Sequence, residues 1–164
     1  MRFVKLAIIS AVVLFTVIYL FSLMIPSQVR ISRAVNISVS KDSLLPAVTD
    51  LRQWHLWNEM VNGEDLTNNH FTENLISSDQ QKVTRKALIG DTLHTDWQQG
   101  KARVLHSGFT WTEANGQLVL QWYFDIKLNW YPWEKFGSIV FDKQLGPPME
   151  KSLGNLKKLL EKNP

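Results

Sequence analysis

The sequence predicts an α+β fold: one amino-terminal membrane-spanning helix, then a single antiparallel sheet whose apolar face is covered by a carboxyl-terminal helix. Three observations predict it. Residues 6–25 carry no charge, and a helix of about 20 residues rises about 30 Å, the thickness of a bilayer hydrocarbon core. Between 74 and 129 the chain runs through apolar and polar residues in alternation, broken by short polar turns, as half-buried antiparallel strands do. Beyond them Leu145, Met149, Leu153, Leu156 and Leu160 recur at helical steps.

The first segment reads as an uncleaved anchor. Its only polar side chains are Ser10, Thr16, Tyr19 and Ser22, and it ends in Phe21-Ser22-Leu23-Met24-Ile25-Pro26, bulky residues where a signal peptidase needs small ones. No cysteine follows, which excludes a lipoprotein anchor. The expected division is a cytoplasmic tail and transmembrane anchor over 1–26 and a folded domain over 27–164. Arg2 and Lys5 face Arg30 and Arg33 across the span, and the short, charged amino-terminal tail favours the inside. The expectation is a single-pass protein of the cell membrane with a periplasmic or otherwise extracytoplasmic domain.

The charge balance narrows the partners. Arg2 and Lys5 are two of the 18 basic side chains, which leaves 16 against 15 acidic ones beyond the span. A near-neutral domain does not neutralise phosphates in number, so no nucleic acid partner is expected. The absence of cysteine removes disulfides, thiolate metal sites and cysteine nucleophiles.

Only Pro26, Ser27 and Gln28 precede the first strand-like run, so the domain is expected to sit against the bilayer. Over 29–40, Val29, Ile31, Val35, Ile37 and Val39 share one face, with Arg33 the one polar residue among them. Lys41-Asp42-Ser43 offers capping chemistry, and Leu44, Leu45, Val48, Leu51, Trp54 and Trp57 continue at helical spacing through Val61. Residues 62–74 read as a loop. Strands are predicted over 74–78, 81–89, 92–98, 103–112 and 117–129, with Asn115-Gly116 the strongest hairpin signal. Gly146-Pro147-Pro148 reads as a fresh helix start, which predicts a short helix over 133–143 and a main one over 147–162.

Several of these segments are specific in combination. Ile25-Pro26-Ser27 after the span, the strand at 31–39, Val48-Thr49-Asp50-Leu51-Arg52-Gln53-Trp54 with Trp57, and the terminal Asp142-Lys143-Gln144-Leu145-Gly146-Pro147-Pro148-Met149-Glu150-Lys151-Ser152-Leu153-Gly154-Asn155-Leu156-Lys157 together resemble the SRPBCC superfamily. More narrowly they resemble its bacterial membrane-anchored branch, often labelled polyketide cyclase/dehydrase-like. The resemblance covers essentially the whole chain. It implies the helix-grip fold, related to START domains and the major birch-pollen allergen, in which a curved antiparallel sheet wraps a long carboxyl-terminal helix around a hydrophobic cavity. The chain departs from many relatives in lacking proline within Trp54-His55-Leu56-Trp57-Asn58 and in its abbreviated run before Trp130. One such fold hosts carriers, cyclases, hydrolases and chaperone regulators, so function is argued from the site.

Residues able to carry chemistry are few. His55, His70, His94 and His106 have no partner at metal-ligand spacing, so no metal and no cofactor are expected. No nucleophile elbow, phosphate-binding glycine loop or paired-carboxylate motif occurs. His94 and Asp96 share the polar face of their strand, and His106 falls outside if the aromatic face of its own strand lines the interior. Arg33 and Arg85 lie on apolar faces, where a buried guanidinium needs a partner or an anionic ligand. Trp54 and Trp57, one turn apart, are chiefly core candidates. Trp122 and Phe124 share the apolar face of the last strand. Trp130, Tyr131, Trp133 and Phe136 cluster at a strand-to-helix connection, placed to close a cavity mouth, to rest among lipid head groups, or to pack beneath the helix.

The candidate ligand-binding residues are thus Arg33, Trp54, Trp57, Arg85, Trp122, Phe124, Trp130, Trp133 and Phe136. The leading expectation is a membrane-anchored binding module that takes a hydrophobic or amphipathic, lipid-like small molecule between sheet and terminal helix. Two alternatives stand beside it. A cyclase/dehydrase-type enzyme would use Arg33, Arg85, Tyr123 or a histidine to polarise a carbonyl, and a ligand-free envelope interaction domain would fill the cavity with its own side chains.

Overall fold

The computed structural model describes residues 2–63, 66–114 and 116–162. The uncharged run forms α1 (Arg2–Leu23), long and apolar enough to cross a membrane, and its apolar side chains stand exposed. Only Met24, Ile25, Pro26 and Ser27 then lead into β1 (Gln28–Ile37). Ser40 caps α2 (Lys41–Thr49), its hydroxyl accepting from the Ser43 amide at 3.4 Å.

The helical spacing that continues to Val61 divides at Asp50. That residue is extended, and its carboxylate accepts from the Arg52 amide at 2.9 Å, starting a 3₁₀ turn at Leu51–Leu56. A second such turn spans Glu59–Val61. The steps of three from Leu51 to Trp54 to Trp57 fit three residues per turn, so these side chains stack on one face.

Among the described residues seven strands form one antiparallel sheet in the order β1-β7-β6-β5-β4-β3-β2. The further strands are β2 (His70–Phe71), β3 (Leu75–Ser77), β4 (Gln81–Ile89), β5 (Thr92–Gln99), β6 (Leu105–Ala114) and β7 (Gln117–Lys127). The stretch predicted as loop over 62–74 thus contains a short edge strand, β2, paired with β3. In the β6–β7 hairpin Ala114 opposes Gln117, and Gly116 takes φ 75°, the left-handed conformation that glycine adopts freely. Asn115, the other half of the predicted turn, lies outside the described residues.

The carboxyl end corrects the reading of two helices. A single helix, α3 (Pro132–Lys162), runs through Pro147 and Pro148. The two prolines deprive the carbonyls of Lys143 and Gln144 of their helical donors. Both of those residues are exposed, so water satisfies the freed groups and the helix continues. Gly146 has a different use. Any Cβ there would meet the Arg33 guanidinium, which crosses α3 to reach Glu150 at 2.5 Å and Asp142 at 2.9 Å.

The sheet's inner face carries Ile31, Leu93, Trp97, Phe109, Trp111, Leu120, Trp122 and Phe124, all buried. Met149, Leu153 and Leu156 of α3 and Leu44 and Val48 of α2 close over them. Sheet, helix and turns together make the helix-grip arrangement that the sequence resemblance implies.

On the outer face, Gly108 of β6 stands opposite Tyr123 of β7, whose ring lies under the Arg30 guanidinium at 4.1 Å. A Cβ at Gly108 would come within 2.5 Å of the Tyr123 Cζ atom. Gly108→Ala is therefore expected to displace the ring and to cost about 1–3 kcal/mol, the usual scale of overpacking. Denaturant unfolding of the detergent-solubilised chain measures it, and an unchanged midpoint would show that the ring moves aside freely.

Candidate functional site

The space between sheet and α3 is filled at one end and open at the other. At the filled end Phe109 stacks on Trp122 with centroids 4.8 Å apart, and Trp54 meets Phe109 edge-on at 5.2 Å. Trp57 leans on Trp54 at 5.5 Å, and Trp97 lies 5.9 Å from it. The indole donors in this cluster are satisfied. Trp54 donates to the Val48 carbonyl at 2.9 Å, Trp57 to that of Ala47 at 3.1 Å, and Trp122 to the Ser107 hydroxyl at 2.8 Å.

At the open end lies a cavity of about 280 Å³. Trp97, Leu105, Phe124, Ile126 and Leu128 line it from the sheet side, and Phe141 and Leu145 from α3, with Met60 of the second 3₁₀ turn closing one wall. Its polar lining is Gln81, Gln99, Arg103, Lys127 and Glu134. Gln81 and Gln99 are register partners on β4 and β5. Arg103 bridges the rim, donating to the Lys127 carbonyl and to Glu134 Oε1 at 3.1 Å, while Glu134 also accepts from Asn129. The result is an apolar interior with a charged, hydrogen-bonded edge, the usual composition of a small-molecule site.

Met60 is held in place by its neighbour. Glu59 accepts from Asn155 at 2.9 Å and pairs with Lys151 at 3.1 Å, and its amide donates to the Ser152 hydroxyl at 3.0 Å, all on α3. The Lys151 ammonium, hydrogen-bonded to it, holds the Glu59 carboxyl below the ordinary glutamate value; burial opposes this, and the Asn155 amide adds a smaller lowering effect.

Of the nine candidates read from the sequence, Phe124 lines this cavity. Trp54, Trp57 and Trp122 are fully buried in the aromatic cluster behind it. Arg33 is engaged by Asp142 and Glu150, and Arg85 lies 3.5 Å from Glu73 near the first 3₁₀ turn, so each guanidinium has a carboxylate of its own. Trp130, Trp133 and Phe136 are exposed, with Trp130 against Tyr19 of α1. Tyr123 and His106 are on the sheet's outer side, where His106 Nδ1 lies 2.7 Å from Asp96 across the β5–β6 pair. The groups considered as carbonyl polarisers therefore do not converge in the cavity. Among the described residues no cluster of three His, Asp or Glu side chains suits a metal ion.

The polar rim was missed because its members come from three separate places: Arg103 from the β5–β6 connection, Lys127 from the end of β7, and Glu134 from the first turn of α3. Arg103 reads in the sequence as the first residue of a strand over 103–112, whereas β6 starts at Leu105, and only the fold brings it to Glu134.

No family model matches the chain, and no curated protein does. Solved structures do. A START superfamily protein from Mycobacterium smegmatis aligns with TM-score 0.59 at 16% identity, over 81% of this chain and 97% of its own. The di-domain ARO/CYC StfQ of the steffimycin biosynthetic pathway gives 0.61 at 12% identity, over 82% and 51%. DynU16, a putative protein of the dynemicin biosynthetic locus, gives 0.54 at 20% identity over 80% of this chain, which spans about half of it, 47%. The chain has an SRPBCC-like, START-type helix-grip fold.

The Glu59 clamp carries a pH signature. A carboxyl whose folded pKa is depressed adds stability above its unfolded pKa and loses it as pH falls through the folded value. The gap in melting temperature between the native chain and Glu59→Gln is expected to be widest at neutral pH and to close in acid. A gap independent of pH would assign the clamp to its neutral hydrogen bonds alone.

Proposed function

We propose that this protein is a membrane-anchored binding module for a hydrophobic or amphipathic small molecule, with residues 1–26 as tail and anchor and 27–164 as the ligand-binding domain. The observation that carries the reading is the cavity itself, walled by Trp97, Leu105, Phe124, Ile126, Phe141 and Leu145 and edged by Arg103, Lys127 and Glu134. At about 30 Å³ for each water-sized group, its volume suits a ligand of roughly ten such groups. An apolar chain with one polar end matches the lining. The alignments with a START superfamily protein and with an ARO/CYC protein support ligand binding as the use of this fold.

Position supports a lipid-like ligand. Gln28, where β1 leaves the tether, pairs with Lys127 of the rim, and the Leu128 amide donates to the Ser27 carbonyl at 2.8 Å. The cavity thus lies at the end of the sheet next to α1, where a molecule leaving the bilayer arrives first. In this reading Phe124 contacts the ligand and Trp130, Trp133 and Phe136 flank the approach.

Native mass spectrometry of the full chain released from non-ionic detergent and incubated with decanoic acid tests the binding. One bound equivalent is expected, and it should be lost in Leu105→Trp, whose indole fills the cavity. Absence of binding by the native chain, or equal binding by a folded Leu105→Trp variant, overturns the site. The orientation has its own check: protease added to intact spheroplasts is expected to digest the carboxyl-terminal part, and protection would reverse the topology.

A further inference from the structure

The first turns of α3 expose an apolar face that nothing among the described residues covers. Trp133 and Ile139 are 66% and 67% exposed, Phe136 and Val140 lie between and beside them, and Trp130 just ahead is 62% exposed. The spacing of Trp133, Phe136 and Val140 puts them on one side of the helix, opposite the buried Lys135 and Ser138. Farther along α3 the outward side chains are different in kind. Lys143, Glu150, Lys151 and Lys158 are exposed there. The two halves of one helix are thus built for different surroundings.

The apolar half is fixed beside the end of the span. The Lys135 ammonium donates to the Ile25 carbonyl at 3.0 Å, and the Trp130 ring meets Tyr19 of α1 edge-on at 6.4 Å. Tyr19 is four residues before the end of α1, about 6 Å along a helix axis. Trp130 therefore stands level with the last turn of α1, and the neighbouring Tyr131 stacks on Trp133 at 4.9 Å. Tryptophan and tyrosine are the side chains that favour the water–lipid boundary.

Resting on the reading of α1 as a membrane anchor, we infer that the outer face of α3 from Trp133 to Val140, with Trp130, docks into the interfacial layer of the bilayer that α1 crosses. Such a face sinks roughly 5–10 Å among head groups and upper acyl chains. The docking fixes the tilt of the sheet and holds the Glu134 edge of the cavity against lipid. A protein partner or a second copy would have to displace lipid that α1 already places beside this face.

The chain has no cysteine, so single-cysteine variants can be labelled cleanly. Val13→Cys, Phe136→Cys, Ile139→Cys and Lys158→Cys, each carrying a small fluorophore, are placed in phosphatidylcholine nanodiscs with and without nitroxide-labelled acyl chains. Quenching is expected at 13, 136 and 139 and not at 158. Quenching at 13 alone overturns the docking and leaves the anchor intact, as does self-quenching between labels at 136 that reports a second copy. No quenching at 13 removes the anchor and the docking with it.

Discussion

The stack of Phe109 on Trp122 is the contact on which the rest of the interior depends. These rings sit on neighbouring strands as direct register partners, so the β6–β7 pairing and the aromatic packing enforce one another. Trp54, Trp57 and Trp97 enclose the pair, and each large ring buries on the order of 150–250 Å². This volume occupies the sheet–helix space under α2 and the second half of α3. What remains is the space under Phe141 and Leu145, where the cavity is. Trp97 and Phe124, in contact at 5.4 Å, are both the near wall of the cluster and the floor of the cavity. The cluster thereby bounds the cavity and presents Trp97 and Phe124 to it, while Trp54, Trp57 and Trp122 stay behind them.

A second constraint fixes α3 over that space. Arg33, on the inward face of β1, reaches two carboxylates about two turns apart and needs Gly146 to pass between them. With side chains partly exposed, such pairs add little net energy. Their effect is positional: they set which side of α3 faces the sheet, while the Glu59 to Lys151 and Asn155 contacts fix the same helix from the opposite flank. The cavity lies between these two attachments, and its helix wall can open only if one of them yields.

Strand pattern was readable because period-two alternation depends on local sequence alone, and β1 and β4 to β7 fall where alternation places them. The resemblance carried by the chain's two ends gave the fold. The α3 region was misread because a rule for helix interiors does not know that Lys143 and Gln144 face water. The site was legible in kind and not in residue. Apolar faces and surplus tryptophan imply an aromatic-walled space, and Phe124 lines it, yet sequence cannot tell cluster from cavity when Trp122 and Phe124 share a face. Arg33 and Arg85 drew attention as apolar-face guanidiniums, and their partners Asp142, Glu150 and Glu73 come from segments that only the fold brings near. The tryptophans divide along the same line. The five at 54, 57, 97, 111 and 122 are buried with their indole donors bonded, whereas Trp130 and Trp133 are exposed, Trp130 against Tyr19 of α1.

The nearness of α1, cavity rim and exposed apolar face follows from topology. Four residues tie the start of β1 to α1, so that end of the sheet is the end next to α1. β7 pairs with β1 antiparallel along its length, from Ile37 opposite Leu118 to Gln28 opposite Lys127, so β7 must finish where β1 begins. The chain then has to start α3 at that same end. Lys127, Asn129, Trp130 and Glu134 are consequently beside α1 whatever their own preferences, and only their chemistry was free to vary. Trp133, Phe136 and Ile139 stand exposed there in place of the charges found later in the helix. The first strand pairing of the sheet thus carries the position of α1 through to the first turn of the last helix.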